Sequence, residues 1–195
     1  MTMTTTKTLT TTELGSFDIT SGEARISDPC YKVDEWCAGT IDKVKYGKWD
    51  AYVIKSDEGE WGNRCAVLIA VHEDYTIDAD DPNFETADID VGVDSGQAGI
   101  FDLSFFKDDE SVADTKRIAS DAGRICEDEP WYSICCDRTL SEVGAGVIPF
   151  GCVSSSGYGD GSYECSVVRD THSPECEVVA IKIDFGVIGN EDDED

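Results

Sequence analysis

Cationic side chains are scarce in this 195-residue chain, and carboxylates are abundant. There are 15 lysines and arginines against 42 aspartates and glutamates, which gives a formal net charge of −27. A surface of this kind repels nucleic-acid phosphates and anionic lipid headgroups, so we expect neither nucleic acid nor a membrane as a direct partner. Long apolar runs are missing too, since no stretch approaches the roughly 18 consecutive apolar residues of a membrane-spanning helix.

Metal-binding and nucleophilic motifs are also sparse. The nine cysteines include no C-x-x-C pair, and Cys165, His172 and Cys176 lack a fourth ligand at a sensible distance for zinc. Neither His172 nor His72 forms a recognisable catalytic signature with a cysteine. The first residues contain no apolar segment of the secretory type, so we expect a cytoplasmic, reducing location with free thiols. No cofactor is expected.

The acidity itself leaves three interpretations open. It can serve solubility or adaptation to a salt-rich cytoplasm, in which case it carries no information about function. It can mimic a nucleic acid and occupy a basic nucleic-acid-binding protein. It can also bind cations through clustered carboxylates.

Most of the chain alternates apolar and polar residues, a pattern typical of half-buried β-strands. The pattern predicts a hairpin around Ser21-Gly22 and another around Tyr46-Gly47. The continuous apolar run in NRCAVLIAVHEDY predicts a central strand that is buried on both faces.

Helical character is confined to the middle of the chain. DDESVADTKRIASDAG and EDEPWYSICCDRTLSEVG both begin with acidic residues and end at a glycine, which suits a helix dipole. We therefore predict one α+β domain over residues 13–188, mainly antiparallel β, barrel-like or a sandwich, with one or two short helices. Residues 1–12 are predicted to be a flexible threonine-rich leader and residues 189–195 an acidic tail.

An eight-residue pattern occurs twice, as SGEARISD at 21–28 and SGQAGIFD at 95–102, with five identities. Glycine suits a tight turn, and alanine and isoleucine then face the core at a period of two. The closing aspartates, Asp28 and Asp102, are expected to bond to backbone at the strand end. We interpret the pattern as a sheet corner that is used twice.

The same aspartates also support a metal-site hypothesis. If the two copies meet in space, Asp28, Asp94 and Asp102 converge and, with Asp160, supply oxygen ligands for Ca²⁺ or Mg²⁺. Such a cluster is the basis of an alternative function, metal-assisted hydrolysis.

The segment SGYGDGSY carries three glycines at alternate positions. It lacks the lysine and the helix start of a phosphate-binding loop. A strand–turn–strand arrangement with Asp160-Gly161 at the tip of a wide hairpin explains it better. Asp160 and Tyr163 stay candidates for a polar pair that faces a ligand.

Four segments, DPCY, VDSGQAGIFD, WYSICCDRTL and SSSGYGDGSYECSV, resemble in this order a family of small bacterial and phage proteins known only as a domain of unknown function. The resemblance covers roughly residues 15 to 185. It implies a β-rich single domain and assigns no activity. The matching positions are Asp28, Pro29, Asp94, Gly96, Gly99, Asp102, Gly157, Gly159, Asp160, Gly161 and Tyr163.

We therefore expect a protein that acts by binding, to another protein rather than through catalysis. The recognition surface is predicted around the repeated corners and the Gly-Asp-Gly turn, at Tyr31, Ser95, Gln97, Tyr158, Asp160 and Tyr163. The alternatives are the hydrolase that uses Asp28, Asp94, Asp102 and Asp160, and the acidic decoy of a basic nucleic-acid-binding protein.

Overall fold

The computed structural model describes residues 7–119 and 128–188, which form two open antiparallel β-sheets packed face to face. The predicted fold class is confirmed, as a sandwich rather than a barrel. The described strands are β1 (Leu9–Ile19), β2 (Ala24–Ser27), β3 (Gly39–Ile41), β4 (Gly47–Asp57), β5 (Asn63–His72), β6 (Glu85–Val93), β7 (Gln97–Asp102), β8 (Ala145–Ile148), β9 (Gly151–Ser155), β10 (Gly161–Arg169) and β11 (Val178–Asp184). The α-helix in the described ranges is α1 (Pro130–Thr139).

The six-stranded sheet has the order β1-β4-β5-β11-β10-β6, and the five-stranded sheet has the order β3-β2-β7-β9-β8. The main core lies between the two sheets, where Leu68 and Ile181 of one sheet and Ile26 and Ile100 of the other are fully buried. The predicted central strand is confirmed as β5, in which the eight residues from Cys65 to the strand end are buried.

The strand pairing repeats within the chain. In the six-stranded sheet, β1, β4 and β5 form one half, and β6, β10 and β11 form the other half with the same connections. The register shifts between Ile54 and Lys55 where β4 pairs with β5, and between Val168 and Arg169 where β10 pairs with β11. The two halves meet where β5 pairs with β11, and again in the other sheet where β2 pairs with β7. The chain is thus built from two repeats of five corresponding strands, related by a pseudo-two-fold axis, and β8 is an additional strand of the second half.

We call residues 9–72 the first repeat and residues 85–185 the second repeat; residues 73–84 are the linker. A ring contact is reproduced in both. Trp49 donates from Nε1 to the Lys45 carbonyl at 3.0 Å and meets His72 edge-on at 5.8 Å. Its counterpart, Tyr163, donates to the Gly159 carbonyl at 2.5 Å and meets Phe185 edge-on at 5.2 Å.

The predicted hairpins are wrong, because each turn leads from one sheet into the other. β1 and β2, on either side of Ser21-Gly22, lie in different sheets, and so do β3 and β4 around Tyr46-Gly47. The turn at Asp160-Gly161 likewise connects β9 to β10 across the sandwich. Alternation predicts which residues face the core but not from which side, since both sheets bury their apolar residues in the same layer.

Two predicted boundaries also need correction. β1 begins at Leu9 and pairs with β4 from there, so residues 9–12 belong to the sheet and not to a flexible leader. The first predicted helix, residues 108–123, shows only a 3-10 turn at Glu110–Val112 within its described part; residues 120–123 lie outside the described ranges. Residues 1–6 and 189–195, in the predicted leader and tail, also lie outside them.

Each outer face of the sandwich is covered differently. The insertion at residues 103–150 packs α1 against the five-stranded sheet, with Trp131 and Ile134 against Phe101 and Val153. The linker crosses the outer face of the six-stranded sheet. Among the residues that the structure describes, no helix combines the length and apolar character needed to cross a membrane.

Candidate functional site

The two repeated corners meet in the five-stranded sheet, because β2 and β7 pair antiparallel with Ile26 opposite Ile100. Each copy therefore points its closing aspartate at the turn of the other copy. We call the resulting arrangements the Asp28 clamp and the Asp102 clamp.

In the Asp28 clamp, the buried carboxylate accepts four hydrogen bonds. The backbone N–H groups of Asp94 and Ser95 donate at 2.9 and 2.7 Å, and the Ser95 hydroxyl donates at 2.6 Å. The fourth donor is the Cys30 N–H at 2.8 Å, two residues along the chain from Asp28. The turn before β7 is thus held by a residue of the first repeat.

The Asp102 clamp repeats this arrangement in the opposite direction. The Thr20 N–H and hydroxyl donate to Asp102 at 2.6 and 2.9 Å, and the Ser21 N–H donates at 3.1 Å. The Ser104 N–H donates at 2.9 Å, again from two residues along. Burial raises the pKa of Asp102, but the hydrogen bonds from Ser21, Thr20 and Ser104 outweigh it and leave the pKa below its ordinary value.

The clamps answer the metal-site hypothesis. Asp28 and Asp102 lie at opposite ends of the β2–β7 pair, and the carboxylate oxygens of each already accept hydrogen bonds from N–H and O–H donors. The four predicted ligands, which are these two aspartates together with Asp94 and Asp160, are therefore not brought to one place. Within residues 7–119 and 128–188, no group of three or more histidines, cysteines, aspartates or glutamates is arranged to hold a metal ion.

Asp94 and Asp160 instead share a depression of about 470 Å³ with Tyr31. It lies where the β2–β3 loop, the end of β6 and the β9–β10 loop come together. We call it the acidic depression. No lysine or arginine lines it, and its principal side chains are Tyr31, Glu35, Trp36, Asp90, Asp94 and Asp160.

Tyr31 is a neutral hydrogen-bond donor at the base of this depression. Burial, followed by hydrogen bonds with Asp94 and Cys37, raises the pKa of its hydroxyl well above the usual range. Asp90, on another wall, accepts a hydrogen bond from the Ser162 hydroxyl. The carboxylates of Asp94 and Asp90 are thus bound to neutral donors and not to a lysine or arginine.

Trp36 is the most exposed large apolar side chain in the described chain, at 83% of its full accessibility. Its loop is fastened to β6, where the Gly92 N–H donates to the Cys37 carbonyl at 2.7 Å. A Cβ at residue 92 would lie 2.8 Å from the Cβ of Cys37, so only glycine allows this approach. Sequence reasoning missed Trp36; the available signal was a tryptophan set among acids in VDEWCAG.

Three other predicted surface residues contribute to folding instead. Ser95 belongs to the Asp28 clamp, and Gln97 is only 6% exposed and accepts from the Thr139 hydroxyl at 3.0 Å. Tyr163 is half-buried and donates to the Gly159 carbonyl. These side chains have partners inside the protein and present little to solvent.

Tyr158, by contrast, is exposed on the far side of the β9–β10 loop. Its hydroxyl donates to Glu58 at 2.7 Å, and the Arg64 guanidinium lies 5.6 Å from the centre of its ring. Hydrogen bonds from Ser56 and Tyr158 lower the pKa of Glu58 to about 2. Trp61, 71% exposed, lies in the same β4–β5 turn as Glu58.

The cysteines of the described chain are free thiols. Burial, together with the neighbouring Asp28, raises the pKa of Cys30 to about 12. Burial also raises the pKa values of Cys152 and Cys165 to about 12. Such groups are protonated near neutral pH, whereas a cysteine nucleophile acts as the thiolate.

Comparison with protein-family models, with curated proteins and with solved structures finds no match. The resemblance to bacterial and phage proteins of unknown function therefore stays a prediction.

Proposed function

We propose that this protein acts by binding a partner protein, and that the acidic depression receives a lysine or arginine side chain of that partner. The observation that carries the proposal is the position of Trp36. Its exposed ring lines the depression together with the carboxylates of Glu35, Asp90, Asp94 and Asp160. No lysine or arginine is part of this lining, and the Arg25 guanidinium near Glu35 lies outside it.

The chemistry of the depression suits a cation that carries an apolar stem. An ammonium or guanidinium group over a tryptophan face gains about 0.5 to 2 kcal/mol, depending on how far it is desolvated. The carboxylates add charge-assisted hydrogen bonds, and the ring covers the methylene stem. Lysine and arginine offer both features in one side chain.

The surroundings of the depression are typical of an interface. Exposed tryptophan and tyrosine are enriched where proteins bind each other. The β9–β10 loop brings Asp160 to the depression, whereas Tyr158 of the same loop turns away to Glu58, on the separate surface that carries Trp61. A cytoplasmic location is part of the proposal, because the described cysteines are all free thiols.

The proposal is tested by affinity capture from the native host followed by binding measurements on the captured protein. Replacement of Trp36 by alanine is expected to weaken binding about tenfold, because the cation–π contact and the stem contact are both lost. Trp61→Ala is the matched control, since it removes an equally exposed tryptophan elsewhere and should change the affinity less than twofold. Equal effects of the two variants would contradict the proposal.

The same measurement distinguishes the proposed function from the acidic-decoy alternative. A decoy works through its total charge, so its binding would fall steeply with salt and would be the same for Trp36→Ala as for the unaltered protein. For the metal-assisted hydrolase, the matching test is a rise in melting temperature with Ca²⁺, Mg²⁺ or Mn²⁺. The filled oxygens of Asp28 and Asp102 lead us to expect no such rise.

A further inference from the structure

The linker divides the outer face of the six-stranded sheet unequally. It is attached to the second repeat, because the Tyr75 hydroxyl donates to Asp170 at 2.6 Å and the Lys182 ammonium donates to the Ala79 carbonyl at 2.9 Å. The Lys182 ammonium also lies 4.2 Å from the centre of the Phe84 ring. A groove is left between the linker and the strands of the first repeat. We call it the linker groove.

The linker groove has a volume of about 410 Å³, within the range of sites that hold one or a few side chains. Its floor is apolar and its rim is acidic. The floor consists of Tyr52, Ile54, Ile69, Val71 and Ile77, and the rim carries Asp50, Glu73 and Asp78.

The side chains that line the groove carry charges of one sign only, from Asp50, Glu73 and Asp78. Lys48 lies 4.0 Å from Glu73 with both side chains about half exposed, and the Lys182 ammonium meets the lining at the Ala79 carbonyl. Burial, followed by the nearby Asp50 and Glu13, raises the pKa of Tyr52, so its hydroxyl stays neutral. The groove therefore favours a cation on its rim and apolar groups on its floor.

The second repeat does not offer the same floor. Ile69 of β5 is paired across the pseudo-two-fold axis with Lys182 of β11, which takes the corresponding place in the other repeat. Val71 corresponds in the same way to Asp184. The apolar groove is a property of the first repeat and is not required by the shared architecture.

We propose that the linker groove docks a segment of a partner protein in which lysine or arginine alternates with apolar residues. The apolar side chains of the partner segment pack on Ile54, Ile69 and Ile77, and its lysine or arginine side chains reach the carboxylates of the rim. Charge complementarity selects this occupant: an acidic segment meets repulsion at the rim, and an uncharged one leaves the rim unpaired. This surface is separate from the acidic depression, so the inference does not depend on the function proposed there.

The test uses a short synthetic peptide with alternating lysine and leucine, added to the full-length Trp36→Ala protein so that the acidic depression contributes little. Amide and methyl shifts followed by NMR should change at Ile54, Ile69 and Ile77. Removing the rim charges with Glu73→Gln and Asp78→Asn should weaken the peptide about tenfold, because each exposed pair contributes up to about 1 kcal/mol.

The matched control is Asp81→Asn with Glu85→Gln, which removes the same charge from a separate depression on the other side of the linker, where Arg169 and His172 are also part of the lining. It should change the affinity less than twofold. A peptide with alternating lysine and serine should bind at least about tenfold more weakly, since it leaves the floor uncovered. Equal binding of the two peptides, equal effects of the two double variants, or shifts confined to another face would each overturn the proposal.

Discussion

The two repeats build the same corner at opposite ends of one strand pair, and they differ in what they place around it. The corner held by the Asp28 clamp carries Tyr31, Asp94 and Asp160. At the corner held by the Asp102 clamp, the corresponding residues are Phe105, Thr20 and Tyr46.

This difference separates architecture from function. Phe105 is stacked on Phe150 at 3.7 Å, and these two residues lie near the ends of the segment 103–150, which is far longer than the corresponding β2–β3 loop of the first repeat. The Asp102 clamp closes with Thr20 where the Asp28 clamp has Asp94, so the turn does not need a carboxylate there. The comparison therefore predicts that the acids of the corner held by the Asp28 clamp are dispensable for folding, which favours a role in binding.

The largest expected effect tests whether the clamps are equivalent. Asp28→Asn and Asp102→Asn should each lower the free energy of unfolding by about 3 kcal/mol, because an amide group then faces buried N–H donors. Urea denaturation measures both. A difference between the two variants of more than about 1 kcal/mol would show that the clamps do not carry equal weight.

The pH dependence sharpens the same comparison. The pKa of Asp102 is lower in the folded protein, so its charge stabilises the fold above the unfolded carboxyl pKa, about 3.9. That stabilisation is lost as the pH falls through the folded value. We expect the difference in unfolding free energy between the unaltered protein and Asp102→Asn to be constant from pH 7 to about pH 5 and to shrink below about pH 4. A difference that stays constant down to pH 2 would contradict this.

The next largest effects on the free energy of unfolding are expected at the ring contacts of the two repeats. Trp49→Phe should cost about 2 kcal/mol, because the smaller ring leaves a cavity and loses the bond to Lys45. Tyr163→Phe removes only the hydroxyl and its bonds to Gly159 and Ser156, so we expect about 1 kcal/mol. Thermal or urea unfolding measures both, and a larger cost for Tyr163→Phe than for Trp49→Phe would contradict the expected order.

Sequence reasoning reached the antiparallel β class, with barrel and sandwich both left open, and the role of the repeated octapeptide. Alternation identifies the strands, and Ala24, Ile26, Ala98 and Ile100 face the core as expected. The aspartates do bond to backbone at strand ends. Their partners were missed, because a local pattern does not state that each carboxylate serves the turn of the other copy.

The extent of the repeat was hidden for two physical reasons. The insertion at residues 103–150 changes the spacing between corresponding strands of the two halves. Packing, moreover, conserves shape more than identity, so Trp49 corresponds to Tyr163 and His72 to Phe185. Trp36 escaped notice because an exposed ring in a loop has no periodicity to reveal it.

The smallest expected effect on stability exchanges the two corners. At the corner held by the Asp28 clamp, Asp94 and Asp160 are replaced by the corresponding residues of the first repeat, as Asp94→Thr and Asp160→Tyr. This variant should change the free energy of unfolding by no more than about 0.5 kcal/mol, because both side chains are exposed. The same variant should weaken binding of the captured partner about tenfold, since two carboxylates beside Trp36 are lost. Glu110→Gln with Asp114→Asn removes equal charge elsewhere and should leave binding within twofold. The reverse exchange, Thr20→Asp with Tyr46→Asp, should create no second site, because Phe105 stands where Tyr31 would donate and, among the described residues, no exposed tryptophan lies at that corner. Loss of stability without loss of binding would mean that the acids support the fold, and the contrast between the two corners would then carry no functional meaning.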